Sequence, residues 1–218
     1  MSRIEDISKK SKDEILKSLD NAYRIKNFQH SNSIDPVEHI QSSGNAIEEL
    51  KAKMSANKYI VEESSKDRLE EKINEIVSKY GYKKMIYGTG LGLDLGKINA
   101  DEKICFDKEI ENLRQDVFHS DFSVVNAKYG VSSHGVALLT SSKEQPRMLS
   151  LAPMLCIVLL KKENVVKSLS EALNLVKKES EILPSNILFV AGPSRTADIE
   201  LITVFGVHGS QQVHIVLY

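Results

Sequence analysis

The spacing of apolar residues changes character near residue 58. Before it, the pattern is helical. Residues 13–28 place Ile15, Leu16, Leu19, Ala22 and Tyr23 on one helical face. Asp35-Pro36-Val37-Glu38 is a helix-start signature, with a capping carboxylate, a proline suited to the first turn and an acidic residue three positions after the cap. Val37, Ile40, Ile47, Leu50 and Met54 continue as a stripe, interrupted at Gly44. Residues 1–57 are therefore expected to form a helical N-terminal extension. It either lies across the main domain or grips a partner or second copy.

From residue 58 onward, short apolar runs alternate with helical stretches. Tyr59-Ile60-Val61 reads as a strand. Ser64-Ser65 open a helix with Leu69, Ile73, Ile76, Val77 and Tyr80 inward, and Gly81 ends it. Residues 83–87 and 103–106 are further strand candidates, and 109–118 a short helix. Residues 130–140 and 155–161 read as buried strands. The stretch 165–179 reads as an amphipathic helix burying Val166, Leu169, Leu173 and Val176, before strands at 187–190 and 214–217. Strands alternating with helices of this length predict an α/β domain over 58–218, with a mostly parallel sheet and helices on both faces.

Composition narrows the partners. The 218 residues include 29 Lys+Arg and 30 Asp+Glu, a net charge of -1, so no basic surface invites nucleic acid. The longest apolar run, Leu155-Cys156-Ile157-Val158-Leu159-Leu160, has the length of a strand and falls far short of a membrane span. The polar, mixed-charge start Met1-Ser2-Arg3-Ile4-Glu5-Asp6 lacks secretory character, so a cytoplasmic location is expected. Two cysteines, Cys105 and Cys156, lie far apart. Iron–sulfur clusters require grouped thiolates, so no cluster and no other cofactor is expected in this chain. Cys156, inside an apolar run, reads as a small buried hydrophobe.

Three loops carry candidate chemistry. Gly88-Thr89-Gly90-Leu91-Gly92 follows a strand, but Leu93 and Leu95 stand where a dinucleotide loop requires its third glycine, which leaves a flexible turn. Residues 191–200, Ala-Gly-Pro-Ser-Arg-Thr-Ala-Asp-Ile-Glu, follow the strand at 187–190 and are expected beyond a carboxyl end, where open α/β sheets receive ligands. Gly192 permits close approach, Ser194 and Thr196 offer hydroxyls, and Arg195 offers a fork for carboxylate or phosphate. Asp198 can cap a helix, orient Arg195 or meet a substrate hydroxyl. A capped turn with an Arg–Asp pair is an equally good reading. Further on, His208 sits between Val207 and Gly209, and His214 begins the last strand, but two histidines without a third ligand make a poor metal site. His134, between Ser133 and Gly135, either faces a cleft or caps a hairpin. Arg147 is a second anion contact or a surface arginine.

The residues 192–200 and Gly-Val-His-Gly at 206–209, with the closing His-Ile-Val-Leu strand, resemble the LUD family, in particular its lactate-utilisation protein C branch. The resemblance is collinear from about residue 58 to the end. It implies a NagB/RpiA/CoA transferase-like fold, shared with glucosamine-6-phosphate deaminase and ribose-5-phosphate isomerase. It also implies a cluster-free subunit working beside two iron–sulfur lactate-utilisation proteins in oxidising L-lactate to pyruvate. The expected catalytic group is then His208, Arg195 and Asp198, with Arg195 on a carboxylate and His208 near a hydroxyl proton. Gly192, Ser194, Thr196, Gly209, His134 and Arg147 complete the expected contacts to a small carboxylate such as lactate or pyruvate. Two departures stand out. The family's Ala-Glu-Thr-Gly-Thr is replaced by Ser132-Ser133-His134-Gly135-Val136, which removes the carboxylate needed for CoA-transferase-like chemistry. The proline after Gly-Val-His-Gly is Ser210 here. The alternative reading is a stand-alone binding protein or enzyme for a small carboxylate or phosphate. A third is a scaffold whose polar loops only cap helices.

Overall fold

Six short segments, most of them apolar at successive positions, assemble into one parallel sheet, as expected for strands covered on both faces. The computed structural model describes residues 3–24, 44–197, 203–206 and 209–218. Residues 1–36 and 37–218 form two units. In the first, α1 (Arg3–Arg24) exposes Ile15, Leu16 and Leu19. In the second, α2 (Ala46–Ala56) precedes β1 (Ile60–Glu63), α3 (Leu69–Tyr80), β2 (Lys84–Tyr87), β3 (Glu102–Cys105), α4 (Ile110–Phe118) and β4 (Phe122–Asn126). There follow β5 (Tyr129–Val131), β6 (Val136–Thr140), β7 (Leu155–Leu160), β8 (Val165–Val166), α5 (Leu169–Glu179) and β9 (Ile187–Val190). The chain closes with β10 (Arg195–Ala197), β11 (Thr203–Phe205) and β12 (Gln212–Leu217).

The main sheet runs β1-β12-β7-β4-β2-β3, with every neighbouring pair parallel. The two-residue period of β7 sorts its side chains between two cores. Leu155, Ile157 and Leu159 pack with Leu69, Ile73, Ile76 and Val77 of α3. Cys156, Val158 and Leu160 pack on the other face with Leu50 and Met54 of α2 and Leu113 and Val117 of α4. A second sheet, β8-β5-β6-β9, is backed by Ala172 and Val176 of α5.

Several elements differ from expectation. The central strand β4 was not anticipated: Ser123 interrupts its apolar run, and that buried hydroxyl is satisfied by donating to the Leu149 carbonyl. The expected strand over 130–140 is a hairpin of β5 and β6. Val165 and Val166 pair with β5 as a strand. The helix begins later, where the Ser168 hydroxyl accepts from the Glu171 N–H at 3.0 Å. This turns α5 so that Ala172 and Val176 are buried while Leu173 is 41% exposed. Residues 35–38, the expected helix start, lie outside the described residues. The described helix α2 starts after Asn45, whose side chain accepts from the Ile47 and Glu48 N–H groups. Leu50 and Met54, placed by sequence on the N-terminal extension, are fully buried in the core.

Candidate functional site

The 191–194 loop does follow a strand's carboxyl end, but β9 belongs to the second sheet, where it runs antiparallel to β6. That direction carries the loop to the amino ends of β7 and β12, opposite the edge where a parallel sheet usually receives ligands. Ser194 donates its N–H to the Ser210 carbonyl at 3.0 Å, and Gly206 donates to the Ser194 carbonyl at 2.9 Å. Gln211, just before β12, donates to the Met154 carbonyl at 2.8 Å, just before β7. From Arg195 the chain enters β10, which pairs antiparallel with β11, placing Arg195 opposite Phe205 and Thr196 opposite Val204.

The end of α2 holds this loop in place. Tyr59 donates its hydroxyl to the Val190 carbonyl at 2.8 Å. Asn57 donates from Nδ2 to the His134 and Gly135 carbonyls at 2.9 and 3.0 Å. Gly192, at φ +86°, passes so close to Asn57 that a β-carbon would sit 2.0 Å from its carbonyl oxygen. Only glycine fits that approach and that backbone conformation.

Beside the loop lies a cavity of about 220 Å³, small beside the roughly 300 Å³ at the lower end for drug-sized ligands. Leu188, Val190 and Val213 form apolar walls. Ser194, Gly209 and Ser210 form the polar side. Ser210 is 4% exposed, and its hydroxyl has no hydrogen-bond partner among the described residues. Cys156 also lines the cavity, with burial pushing its thiol up to about 12, so it is a neutral thiol near pH 7 rather than a nucleophile.

Of the residues expected at the site, Gly192, Ser194 and Gly209 come together at this cavity. The Arg195 side chain is exposed and donates from Nη2 to the carbonyl of Ala191, a cavity residue, at 2.9 Å. Thr196 is exposed on the hairpin. Arg147 is exposed beside Gln145 and Asn186, in a separate crevice that shares Ser150 and Leu188 with the cavity. His134 sits in the β5–β6 turn, its Nδ1 2.8 Å from the Ser133 hydroxyl, away from the cavity lining. Asp198 and His208 lie outside the described residues. His214 is on the opposite face of β12, where Tyr80 Oη lies 2.8 Å from its Nε2. Burial pushes it down to about 4, only partly opposed by Glu62 at 3.7 Å. It is a buried packing residue, not part of the loop site. Ser210 was visible in the sequence only as a departure from proline, and Ser150 gave no signal. Among the described residues, no group of three or more His, Cys, Asp or Glu is arranged to hold a metal ion.

The glycine loop after β2 has a structural use. β2 lies between β3 and β4, so its carboxyl end is the sheet's topological switch point. There a β-carbon on Gly88 would stand 2.1 Å from the Glu144 carbonyl oxygen, which accepts the Gly90 N–H at 3.1 Å. Asn126 ties the loop down through Nδ2 to the Gly90 and Leu91 carbonyls. The glycines admit the chain's own backbone. On its other side the same loop, through Leu91 and Gly92, lines a carboxyl-edge cleft of about 370 Å³ with Lys66, Glu70, Lys97 and Tyr218, among others.

Comparison with known families settles the lineage. The sequence pattern of the LUD domain matches residues 47–218. The chain belongs to the LUD domain family. Within it, the chain is 41% identical over 105 residues to Escherichia coli "Uncharacterized protein YkgG", covering 47% of this chain and 45% of that protein. It is 30% identical over 157 residues to "Lactate utilization protein C" of Halalkalibacterium halodurans, covering 68% of each. The same name belongs to a Bacillus pumilus relative, 40% identical over 91 residues, or 40% of this chain and 38% of that one. The chain spans about half the length of the YkgG relative it matches. In fold it resembles a crystal structure of a DUF162 family protein from Deinococcus radiodurans. The TM-score is 0.60 at 13% identity, over 81% of this chain and 98% of that one. This LUD chain is thus α/β with a parallel central sheet and a helix at its N-terminal end. No helix among its described residues is long and apolar enough to cross a membrane.

Proposed function

We propose that this LUD protein acts in lactate utilisation as the cluster-free subunit of an iron–sulfur system that oxidises L-lactate to pyruvate in the cytoplasm. The observation that carries this is its match to proteins named lactate utilization protein C, one of them over two thirds of both chains. Cysteine usage agrees with the division of labour. Of two cysteines, Cys156 is buried as a neutral thiol and Cys105 is free and half-buried, and in this proposal the electron carriers belong to two iron–sulfur partner proteins. In an organism carrying this gene, its deletion abolishes growth on L-lactate and the intact gene restores it. Normal growth of the deletion strain on L-lactate contradicts the proposal.

A second reading, a stand-alone binding protein for a small carboxylate or phosphate, is favoured by the preformed cavity beside Ser194. A ligand retained by the chain purified without partners, together with growth on L-lactate that does not need the gene, selects it.

A further inference from the structure

We infer that the cavity at the amino ends of β7 and β12 is a binding site for a short monocarboxylate bearing a hydroxyl or keto oxygen on the carbon next to the carboxylate. This rests on the lactate-utilisation reading and gives that reading a place in the fold.

Three observations carry it. The first is size: about 220 Å³ suits a molecule of a few carbons better than a nucleotide or coenzyme. The second is the Ser210 hydroxyl, buried and without a partner among the described residues. A buried hydroxyl in that condition destabilises the fold unless a ligand or water meets it. It lies among the apolar walls of Val213, Val190 and Leu188, which suit a methyl or methylene group. The third is Arg195 at the rim. One of its five N–H groups goes to the Ala191 carbonyl, which leaves a planar fork to receive a carboxylate. A 2-hydroxy or 2-oxo acid meets all three: carboxylate to Arg195, neighbouring oxygen to Ser210, short carbon end to the apolar wall.

Isothermal titration of the full chain, without partners, tests the site. L-Lactate and pyruvate are expected to bind. Propionate, lacking the second oxygen, and 1,2-propanediol, lacking the carboxylate, are expected to bind at least tenfold more weakly. Ser210→Ala should weaken lactate binding at least fivefold while keeping or raising Tm, because alanine removes the unmet hydroxyl. Arg195→Leu should weaken lactate and pyruvate alike, and Lys97→Ala in the carboxyl-edge cleft should change neither. Equal affinity for propionate and lactate, no binding at all, or loss of binding on Lys97→Ala with Ser210→Ala unaffected, each overturns the assignment. Failure here with growth on L-lactate still dependent on the gene sinks the site but not the subunit role. Lactate binding with growth independent of the gene does the reverse.

Discussion

Gly192 and His214 show how single residues are fixed by what surrounds them. A β-carbon at Gly192 would stand 2.0 Å from the Asn57 carbonyl oxygen, in a backbone conformation at φ +86° that L side chains rarely adopt. Gly192→Ala should therefore lose about 2 kcal/mol or more of stability, read by urea or thermal unfolding. An unchanged midpoint would mean the loop does not approach α2 this closely. His214 is held neutral, its pKa pushed from 6.5 down to about 4 by burial under Tyr80. Between those values the unfolded chain binds the proton and the folded chain does not. The stabilising contribution is present above pH 6.5 and is lost as pH falls toward 4, roughly 3 kcal/mol across the window. His214→Gln should flatten unfolding free energy against pH there, and an unaltered slope refutes the assignment. The same residues mark where sequence was legible. Glycine at 192 and its hydroxyl neighbour at 194 were readable as a close-approach loop. The alternate-face position of His214 became certain only with the register of β12.

At the scale of elements, the helices and strands of 58–118 follow their apolar spacing closely, because the helices have one buried face and the elements are bounded by ordinary end signals. Gly81 ends α3, as expected. The failures have physical causes. β4 and the β5–β6 hairpin are buried on both sides, and periodicity carries no face information in such segments. α5 was misread because Val165 and Val166 continued its apolar stripe backwards, although Ser168 caps it and they pair as β8. Two substitutions separate the readings. Leu50→Ala in α2 should cost about 2–5 kcal/mol, since the side chain is fully buried among β-sheet residues. Leu173→Ala in α5 should stay near 0.5 kcal/mol, as expected for an exposed position. Equal losses at the two positions would contradict the packing described.

In the whole molecule, the direction of β9 decides where the chemistry sits. Residues 191–194 read correctly as a loop after a strand. Nothing in the spacing revealed that this strand joins a second sheet and brings Ser194 to the amino ends of β7 and β12. The carboxyl edge at β2 is meanwhile closed by the Glu144 backbone against Gly88 and Gly90. The parallel sheet was legible from strand–helix alternation, whereas the site depends on a long-range pairing that only the fold supplies. In the proposed role, this fold completes a lactate-oxidising system whose redox centres reside in other chains. The most direct measurement is L-lactate-dependent dye reduction by the two proposed iron–sulfur partner proteins, with and without this chain. Activity that appears, or rises at least tenfold, only when the chain is added at equal stoichiometry is the predicted result. Full activity of the partners alone, unchanged by the chain, would contradict the account.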